Sequence, residues 1–434
     1  MSCPSRLSQW HHEVSTAFAH LSKPQIWGLT LWSAGIALVG AAGITQISAL
    51  LALVLEQKEQ TVFQRLREWY LDAEQKSGNK RREVEVTSCF ASLLRWIVRL
   101  WEPEKKQLAL TLDATSLGER WTVLSICVVI RSGAIPVAWK VLGGHEKGSW
   151  RPHWESLLTS LSGAIPHDWQ VVVMADRGLY ARWLFQAIQA CGWHPFLRIN
   201  LGVKARAIGE ETFDWISRWT PQPGTNWKGL VECFAGKAAR LTCSLLMHWG
   251  PGYEYPWAVL TDLEPHQAEV SWYGMRTWAE TGYKDFKRGL WGWHHTKMQS
   301  AGCIERLWLA MAVAQLWTLS LGCQMEAQHE QLAVSSESLP ARHIGRRRRK
   351  RPVGQPAVRR LSCVVRGRLG LLAALFTAQV LPCGKLLAQA WPTMIRSPRK
   401  LSERGQQRQR QARKEKGRKS RLKHRAQRRA RPSS

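Results

Sequence analysis

Five apolar segments rich in β-branched residues, all between residues 107 and 200, constrain the fold more than any other feature of the chain. The first three are separated only by short glycine-containing or charged turns, which predicts three adjacent strands. The last two alternate with segments of helical character at 150–161 and 179–191. This order predicts an α/β fold built on a mixed sheet with flanking helices.

The pattern changes on both sides of this core. A helical character dominates before residue 100, and strand-like segments among Gly-Pro turns follow residue 200. We therefore predict four regions. They are a helical N-terminal region at 1–100, an α/β domain at 101–337 with a β-rich insertion at 201–268, a linker and C-terminal helical segment at 338–396, and a basic disordered tail at 397–434.

The charge of the chain is concentrated at its C-terminal end. Positions 341–434 carry 29 of the 62 Lys and Arg residues but only two of the 32 Asp and Glu residues. Most of the net charge of +30 therefore lies there, and the rest of the chain is nearly neutral. Such a segment favours a polyanionic partner, with a steep dependence of binding on salt.

An uncharged apolar stretch at 27–55 is long enough to span a bilayer. Four glycines interrupt it, and Thr45 could cap a second helix after a break at Gly43. The favoured interpretation is two buried helices, and a membrane span is the alternative. The cysteines form no Cys-x-x-Cys pair, which argues against a zinc ribbon and fits a reducing cytoplasm.

Two aspartates follow apolar strand segments. Asp113 ends the run LALTLD and Asp176 ends the run VVVMAD. Each alone is an ordinary turn residue, but neighbouring strands of an α/β sheet bring such ends together. Two adjacent carboxylates repel each other unless cations bridge them, and oxygen ligands favour Mg²⁺ or Mn²⁺.

A third acid lies in the segment SWYGMRTWAETGYKDFKRG, at 271–289. As one α-helix, it would place a phenol, a guanidinium, a carboxylate and an ammonium group on a single stripe, contributed by Tyr273, Arg276, Glu280 and Lys287. A solvated face with an Arg276–Glu280 pair is the simpler alternative. Asp285 and Glu305 are competing acids that lie off this stripe.

The spacing Tyr273-x2-Arg276-x3-Glu280-x6-Lys287 resembles the Tyr-Arg-Glu-Lys signature of bacterial insertion-sequence transposases of the IS-four group. The segments around Asp113 and Asp176 resemble the two aspartate strands of that family, and the similarity extends over residues 31–383. The three residues that precede Glu280 depart from the family pattern, and the basic tail has no counterpart in it.

The resemblance implies a ribonuclease-H-like fold and cut-and-paste transposition of DNA by a homodimer bound to element ends and target DNA. Residues 101–337 would then be the catalytic domain, and the helical region at 1–100 would bind DNA. It implies that Asp113, Asp176 and Glu280 are the catalytic residues and hold two Mg²⁺ ions, for which Mn²⁺ can substitute. Phosphate contacts are expected from Tyr273, Arg276 and Lys287, with Arg198 as a further candidate on the same surface. We expect a cytoplasmic, nucleoid-associated bacterial protein with no membrane partner.

Two rival interpretations stay open at this point. One is a catalytically inactive relative that only binds DNA, and metal-dependent nicking would separate it from an enzyme. The other is a basic membrane-associated or RNA-binding protein, built on residues 27–55 and the tail. The second rival leaves the spacing of the signature residues unexplained.

Overall fold

The predicted α/β class is confirmed. The computed structural model describes residues 5–78, 82–146, 150–337 and 361–394, and within them one mixed sheet of ten strands is combined with ten α-helices. The predicted linker, residues 338–360, and the predicted basic tail, residues 397–434, lie outside the described residues.

Five helices precede the first strand and five are placed later in the chain. The first group comprises α1 (Ser8–Ala17), α2 (Lys23–Val39), α3 (Ile44–Leu55), α4 (Glu59–Tyr70) and α5 (Thr87–Arg99). The second group comprises α6 (Arg151–Leu161), α7 (Arg182–Ala190), α8 (Thr277–Lys284), α9 (Ala301–Glu337) and α10 (Cys363–Phe376).

The uncharged stretch forms two helices, as favoured by its glycines. Helices α2 and α3 are bent by 101° at a four-residue break. Gly40 adopts a φ of 76° there, a left-handed conformation that glycine accepts without strain. The expected cap at Thr45 is wrong, because α3 begins one residue earlier, with Gly43 at its N-cap. Arg368 of α10 donates to the carbonyls of Leu38 and Val39, which would otherwise lack partners at the end of α2.

Among the described residues, Ala301–Gln328 within α9 has the length and hydropathy of a membrane span, as do α2 and α3 if the bent pair counts as one span. Within the helix Ala301–Gln328, 94% of the most apolar stretch is buried inside the protein. A largely buried helix of this kind is typical of the interior of a folded domain.

The ten strands lie in the order β3-β2-β1-β4-β5-β10-β9-β8-β6-β7. Their bounds are β1 Gln107–Leu117, β2 Trp121–Ile130, β3 Gly133–Gly143, β4 Gln170–Ala175, β5 His194–Arg198, β6 Lys204–Ala207, β7 Asp214–Trp215, β8 Asn226–Cys233, β9 Leu241–His248 and β10 Trp257–Thr261. Strands β1, β4 and β5 are parallel, and the other neighbours pair antiparallel. The β-rich segment after residue 200 therefore continues the central sheet, with β10 beside β5.

The two faces of the sheet pack against different cores. Leu108, Leu110 and Leu112 of β1 face the large core that the helices cover. Ala109 of β1 belongs to a smaller core on the other face, with Met174 and Phe196. Successive side chains of a strand point to opposite faces, so the sheet is buried on both sides near its centre.

Candidate active site

Asp113 and Asp176 lie side by side, as the strand pattern predicts. Strands β1 and β4 pair in parallel up to Leu112 opposite Ala175, and the two aspartates are the next residue of each chain segment. Strand β5 is in register with β4 up to Leu197, and Arg198 follows. Because side chains alternate along strands, Asp113, Asp176 and Arg198 belong to the face of the smaller core.

The expectation that Asp113 ends its strand is wrong in one respect. Strand β1 runs on to Leu117, and Asp113 itself pairs with Ser125 of β2. The strand continues because β2 supplies hydrogen-bond partners on one side after β4 has ended on the other. The backbone of Asp113 is thus fixed by its pairing with β2, and it is unpaired only on the side where β4 has ended.

The segment that carries Glu280 is not one regular α-helix. A 3-10 helix spans Val270–Arg276, α8 follows, and a π-helix spans Asp285–Gly289. The single stripe expected from α-helical spacing therefore does not form. Arg276, the last residue of the 3-10 helix and the N-cap of α8, still lies 3.7 Å from Glu280, whereas Tyr273 and Lys287 lie in the 3-10 helix and the π-helix on either side of α8.

This change of pitch has a packing cause. Tyr273 and Met275 are buried in the smaller core, whereas Ala279 and Tyr283 are buried in the large core. The segment therefore crosses from one face of the sheet to the other around the edge at which β4 ends. A Cβ at Gly282 would lie 3.0 Å from the carbonyl oxygen of Ala134, so glycine lets α8 approach β3 closely.

Arg276 stands at this crossing, among the three acids. Its guanidinium lies 2.8 Å from Asp113 Oδ2, 3.5 Å from Asp176 Oδ2 and 3.7 Å from Glu280 Oε1. The Arg276 side chain is 13% exposed and that of Asp113 is 19%, whereas Asp176 and Glu280 are about half exposed, at 46% and 56%. The structure thus brings together all three predicted catalytic acids, which we call the carboxylate cluster.

The carboxylate cluster is not electrically balanced. Burial raises the pKa of Asp113, the charge of Arg276 opposes this, and Asp176 and Glu280 raise the pKa further. Among the described residues, the Nε of Arg276 is buried without a hydrogen-bond partner. The cluster therefore has one positive group for three carboxylates, and among the described residues that group is not fully hydrogen-bonded.

The donor set suits a hard divalent cation, because three carboxylates converge on one positive group. Within the described part of the chain, no three His, Cys, Asp or Glu side chains are already arranged around a common metal position. Arg276 lies among the carboxylates, so a cation would have to share or take its place. The carboxylate oxygens are ligands of the kind that Mg²⁺ and Mn²⁺ prefer, and in this structure the guanidinium of Arg276 supplies the positive charge among them.

Tyr273 and Arg198 form a layer beneath the cluster. Tyr273 is 5% exposed, and its burial raises the pKa of its hydroxyl. The guanidinium of Arg198 lies 5.4 Å from the centre of the Tyr273 ring and 5.5 Å from that of Trp257. In this arrangement Tyr273 supports Arg198, and a direct phosphate contact by Tyr273 stays a prediction.

The two competing acids have other partners, and Lys287 lies in the π-helix that follows α8. Lys287 is half-buried in the π-helix, and its carbonyl oxygen contacts Nδ1 of His294. Glu305 is bound 3.2 Å from Lys140 and accepts a hydrogen bond from the backbone of Val141. Asp285 accepts a hydrogen bond from Gln315, so neither competing acid joins Asp113 and Asp176.

Sequence reasoning missed one anchor of the site. The hydroxyls of Tyr283 and Ser125 are 2.6 Å apart, and both side chains are buried. Ser125 is the β2 partner of Asp113, so this hydrogen bond ties α8 to the backbone that holds the first aspartate. The spacing of three residues from Glu280 to Tyr283 could have indicated this anchor, because residues three apart are neighbours on the surface of a helix.

The chain matches no known family model, and a search of curated proteins finds no match for it either.

Proposed function

We propose that this chain is a DNA transposase of the DDE class, which cleaves and transfers the strands of an insertion sequence. The observation that carries the proposal is the convergence of Asp113, Asp176 and Glu280 on Arg276 at one edge of a mixed sheet. The order of these acids along the chain and the spacing of the signature residues agree with it. A ribonuclease-H-like core is part of the proposal, and it is supported by the order of strands β1 to β5 and the helices between them.

In this proposal Asp113, Asp176 and Glu280 hold two Mg²⁺ ions, for which Mn²⁺ substitutes. Bound divalent cations supply Lewis-acid chemistry and lower the pKa of a nucleophilic water or hydroxyl. The protein holds the carboxylates on a paired strand and a packed helix, which limits their movement during an in-line displacement. Released from the carboxylates, Arg276 is placed to contact a phosphate next to the scissile bond, because a guanidinium suits bidentate phosphate binding.

The proposed partners are DNA at the element ends and at the target, bound by a homodimer. The unequal distribution of charge supports a nucleic-acid partner, because the basic residues are concentrated in the last part of the chain. A cytoplasmic, nucleoid-associated location follows from such a substrate.

The decisive experiment is cleavage of labelled DNA that carries the element ends flanking the gene, with Mg²⁺, by the parent and by Glu280→Gln. We expect the substitution to reduce cleavage by more than about 100-fold, since even second-shell changes at metal sites cost 10–100-fold. Binding of the same DNA without divalent cation should be retained. Glu269→Gln is the matched control, because Glu269 is similarly exposed and pairs with Lys228 outside the cluster.

A catalytically inactive DNA-binding relative is the second candidate, and the position of Arg276 among all three acids favours it. Failure of the parent to nick the DNA in Mg²⁺ or Mn²⁺, with binding intact, would select this candidate. Equal cleavage by the parent and Glu280→Gln would instead overturn the assignment of the active site.

A further inference from the structure

A second site lies beside the carboxylate cluster. A cavity of about 540 Å³ opens between the start of α6, the start of α7 and the turn after β8. Two arginines and three aromatic side chains line it, and we call it the arginine–aromatic groove. These residues are Arg151, Tyr180, Arg182, Trp183 and Phe234.

The groove and the cluster share one loop. The backbone N–H of Leu179 donates to the carbonyl of Asp176, and Tyr180 follows directly. The amide of Asn200 donates to the hydroxyl of Tyr180, and Asn200 stands two residues after Arg198. The loop that positions the second aspartate therefore also positions one wall of the groove.

The aromatic rings of the groove are arranged as platforms. The rings of Tyr180 and Phe234 are parallel within 7°, with their centres 6.1 Å apart. Phe234 adopts a φ of 65°, a left-handed conformation that is unfavourable for a residue with a Cβ. Such a conformation persists only where the surrounding structure imposes it, and here it brings the ring to Tyr180.

The positive charges of the groove face solvent. Arg182 is exposed and donates to the carbonyl of Ala238, which ties α7 to the turn after β8. The guanidinium of Arg151 lies 5.5 Å from the centre of the Trp183 ring, and it also pairs with Glu155. Exposed arginines interleaved with aromatic rings provide the phosphate contacts and stacking surfaces that unpaired nucleic acid needs.

We propose that the arginine–aromatic groove binds an unpaired segment of DNA that continues from the strand held at the carboxylate cluster. Its bases stack on Tyr180, Phe234 and Trp183, and its phosphates contact Arg151 and Arg182. This inference rests on the proposed function for the identity of the strand. The binding of unpaired DNA in the groove is nevertheless measurable without any cleavage.

The test is binding and photocrosslinking of a labelled oligothymidine of about 12 nucleotides, a length within the range of single-strand sites. The full chain is used at about 0.3 M salt, which weakens contacts made by charge alone. Phe234→Gly removes the ring, and the relief of the left-handed backbone offsets part of the lost packing, so the variant should fold and its affinity should drop about tenfold. Arg182→Gln is a second variant, with an expected loss of about threefold to tenfold.

A matched control is available on the β-rich part of the sheet. Arg218 is exposed and paired with Asp214 four residues earlier, much as Arg151 is paired with Glu155. Arg218→Gln should bind the oligonucleotide as the parent does, whereas Arg151→Gln should bind more weakly.

Crosslinks from iodouracil-substituted oligonucleotide should map to Tyr180, Trp183 or Phe234. Crosslinks confined to other parts of the chain, or affinities of Phe234→Gly and Arg182→Gln within twofold of the parent, would overturn the proposal. A loss of duplex affinity in Phe234→Gly as large as its loss of oligothymidine affinity would also overturn it, because the groove would then not distinguish unpaired DNA. If the parent cleaves no DNA but still crosslinks through the groove, the proposed function fails and the groove assignment stands.

Discussion

Arg306 and Arg276 each lie among carboxylates, and the two arginines differ in how completely their guanidinium groups are hydrogen-bonded. Arg306, on α9, is 4% exposed and donates to Asp72, Glu83 and the carbonyls of Tyr70 and Val84. Arg276 contacts three carboxylates and leaves its Nε, among the described residues, without a partner.

The acids respond in opposite directions. Burial opposes the charge of Asp72, but hydrogen bonds from Ser300 and Arg306 prevail and lower its pKa. Burial and two neighbouring acids raise the pKa of Asp113 in spite of Arg276. The first arrangement is a closed structural joint, in which Arg306 links α9 to the N-terminal helices. In the second, three carboxylates share Arg276, and their mutual repulsion would decrease if a cation bound among them.

Arg306→Met should produce the largest loss of stability. Two carboxylates and two backbone carbonyls lose their donor. Breaking a fully buried pair costs about 3–5 kcal/mol, and because Asp72 and Glu83 are 32% and 41% exposed we expect about 2–4 kcal/mol here. Urea unfolding at neutral pH measures the change in the free energy of unfolding. A loss below about 1 kcal/mol, the scale of an exposed ion pair, would contradict the description of a closed structural joint.

Asp285→Asn extends the comparison to a largely buried acid that, among the described side chains, has no arginine partner. Burial raises the pKa of Asp285 to about 6, with Gln315 and Lys284 only partly opposing it. The folded state therefore holds this proton more tightly than the unfolded state, and the resulting stability is lost as pH rises from about 4 to about 6.

Replacement by asparagine removes that loss, so the variant should be more stable than the parent at pH 7 by about 1–3 kcal/mol. Near pH 4 the two proteins should unfold at nearly equal urea concentrations. A variant that is less stable at neutral pH would show that the Asp285 carboxylate has a favourable partner in the folded state.

Arg276→Met should give a smaller loss, and one that depends on divalent cation. Without Mg²⁺ the three carboxylates repel, and we expect a cost of about 2 kcal/mol. Saturating Mg²⁺ should raise the thermal midpoint of this variant more than that of the parent, whereas Arg306→Met should respond to Mg²⁺ as the parent does. Equal responses of the two variants to Mg²⁺ would remove the distinction between the clusters.

Gly282→Ala is expected to have the smallest effect on stability. The added methyl group meets the carbonyl of Ala134 and pushes α8 away from β3, at a cost of about 1–2 kcal/mol. Glu280 moves with the helix, so cleavage should fall although all charged groups are retained. Unchanged cleavage at the same loss of stability would show that Glu280 tolerates such movement.

The sequence was most informative where structure depends on local pattern. Alternating strands and helices predicted the α/β class, and the ends of two strands predicted the neighbouring positions of Asp113 and Asp176. The glycines of residues 27–55 predicted the break between α2 and α3. These features depend on periodicity and turn chemistry, which neighbouring residues determine.

Features that depend on distant contacts were not predictable in the same way. The change from 3-10 to α to π pitch arises because residues 270–289 pack on both faces of the sheet. The position of Arg276 depends on strands far away in the chain, and the arginine–aromatic groove combines three separate segments. No local pattern carries information of this kind.

The location of Arg276 and Glu280 on one short segment has a consequence for the newly made chain. Asp113 and Asp176 leave the ribosome before the third acid, and they can pair across β1 and β4 while that acid is still missing. When Glu280 arrives, Arg276 precedes it and reaches the two aspartates as part of the same turn. The three acids therefore never come together without the guanidinium that offsets part of their charge.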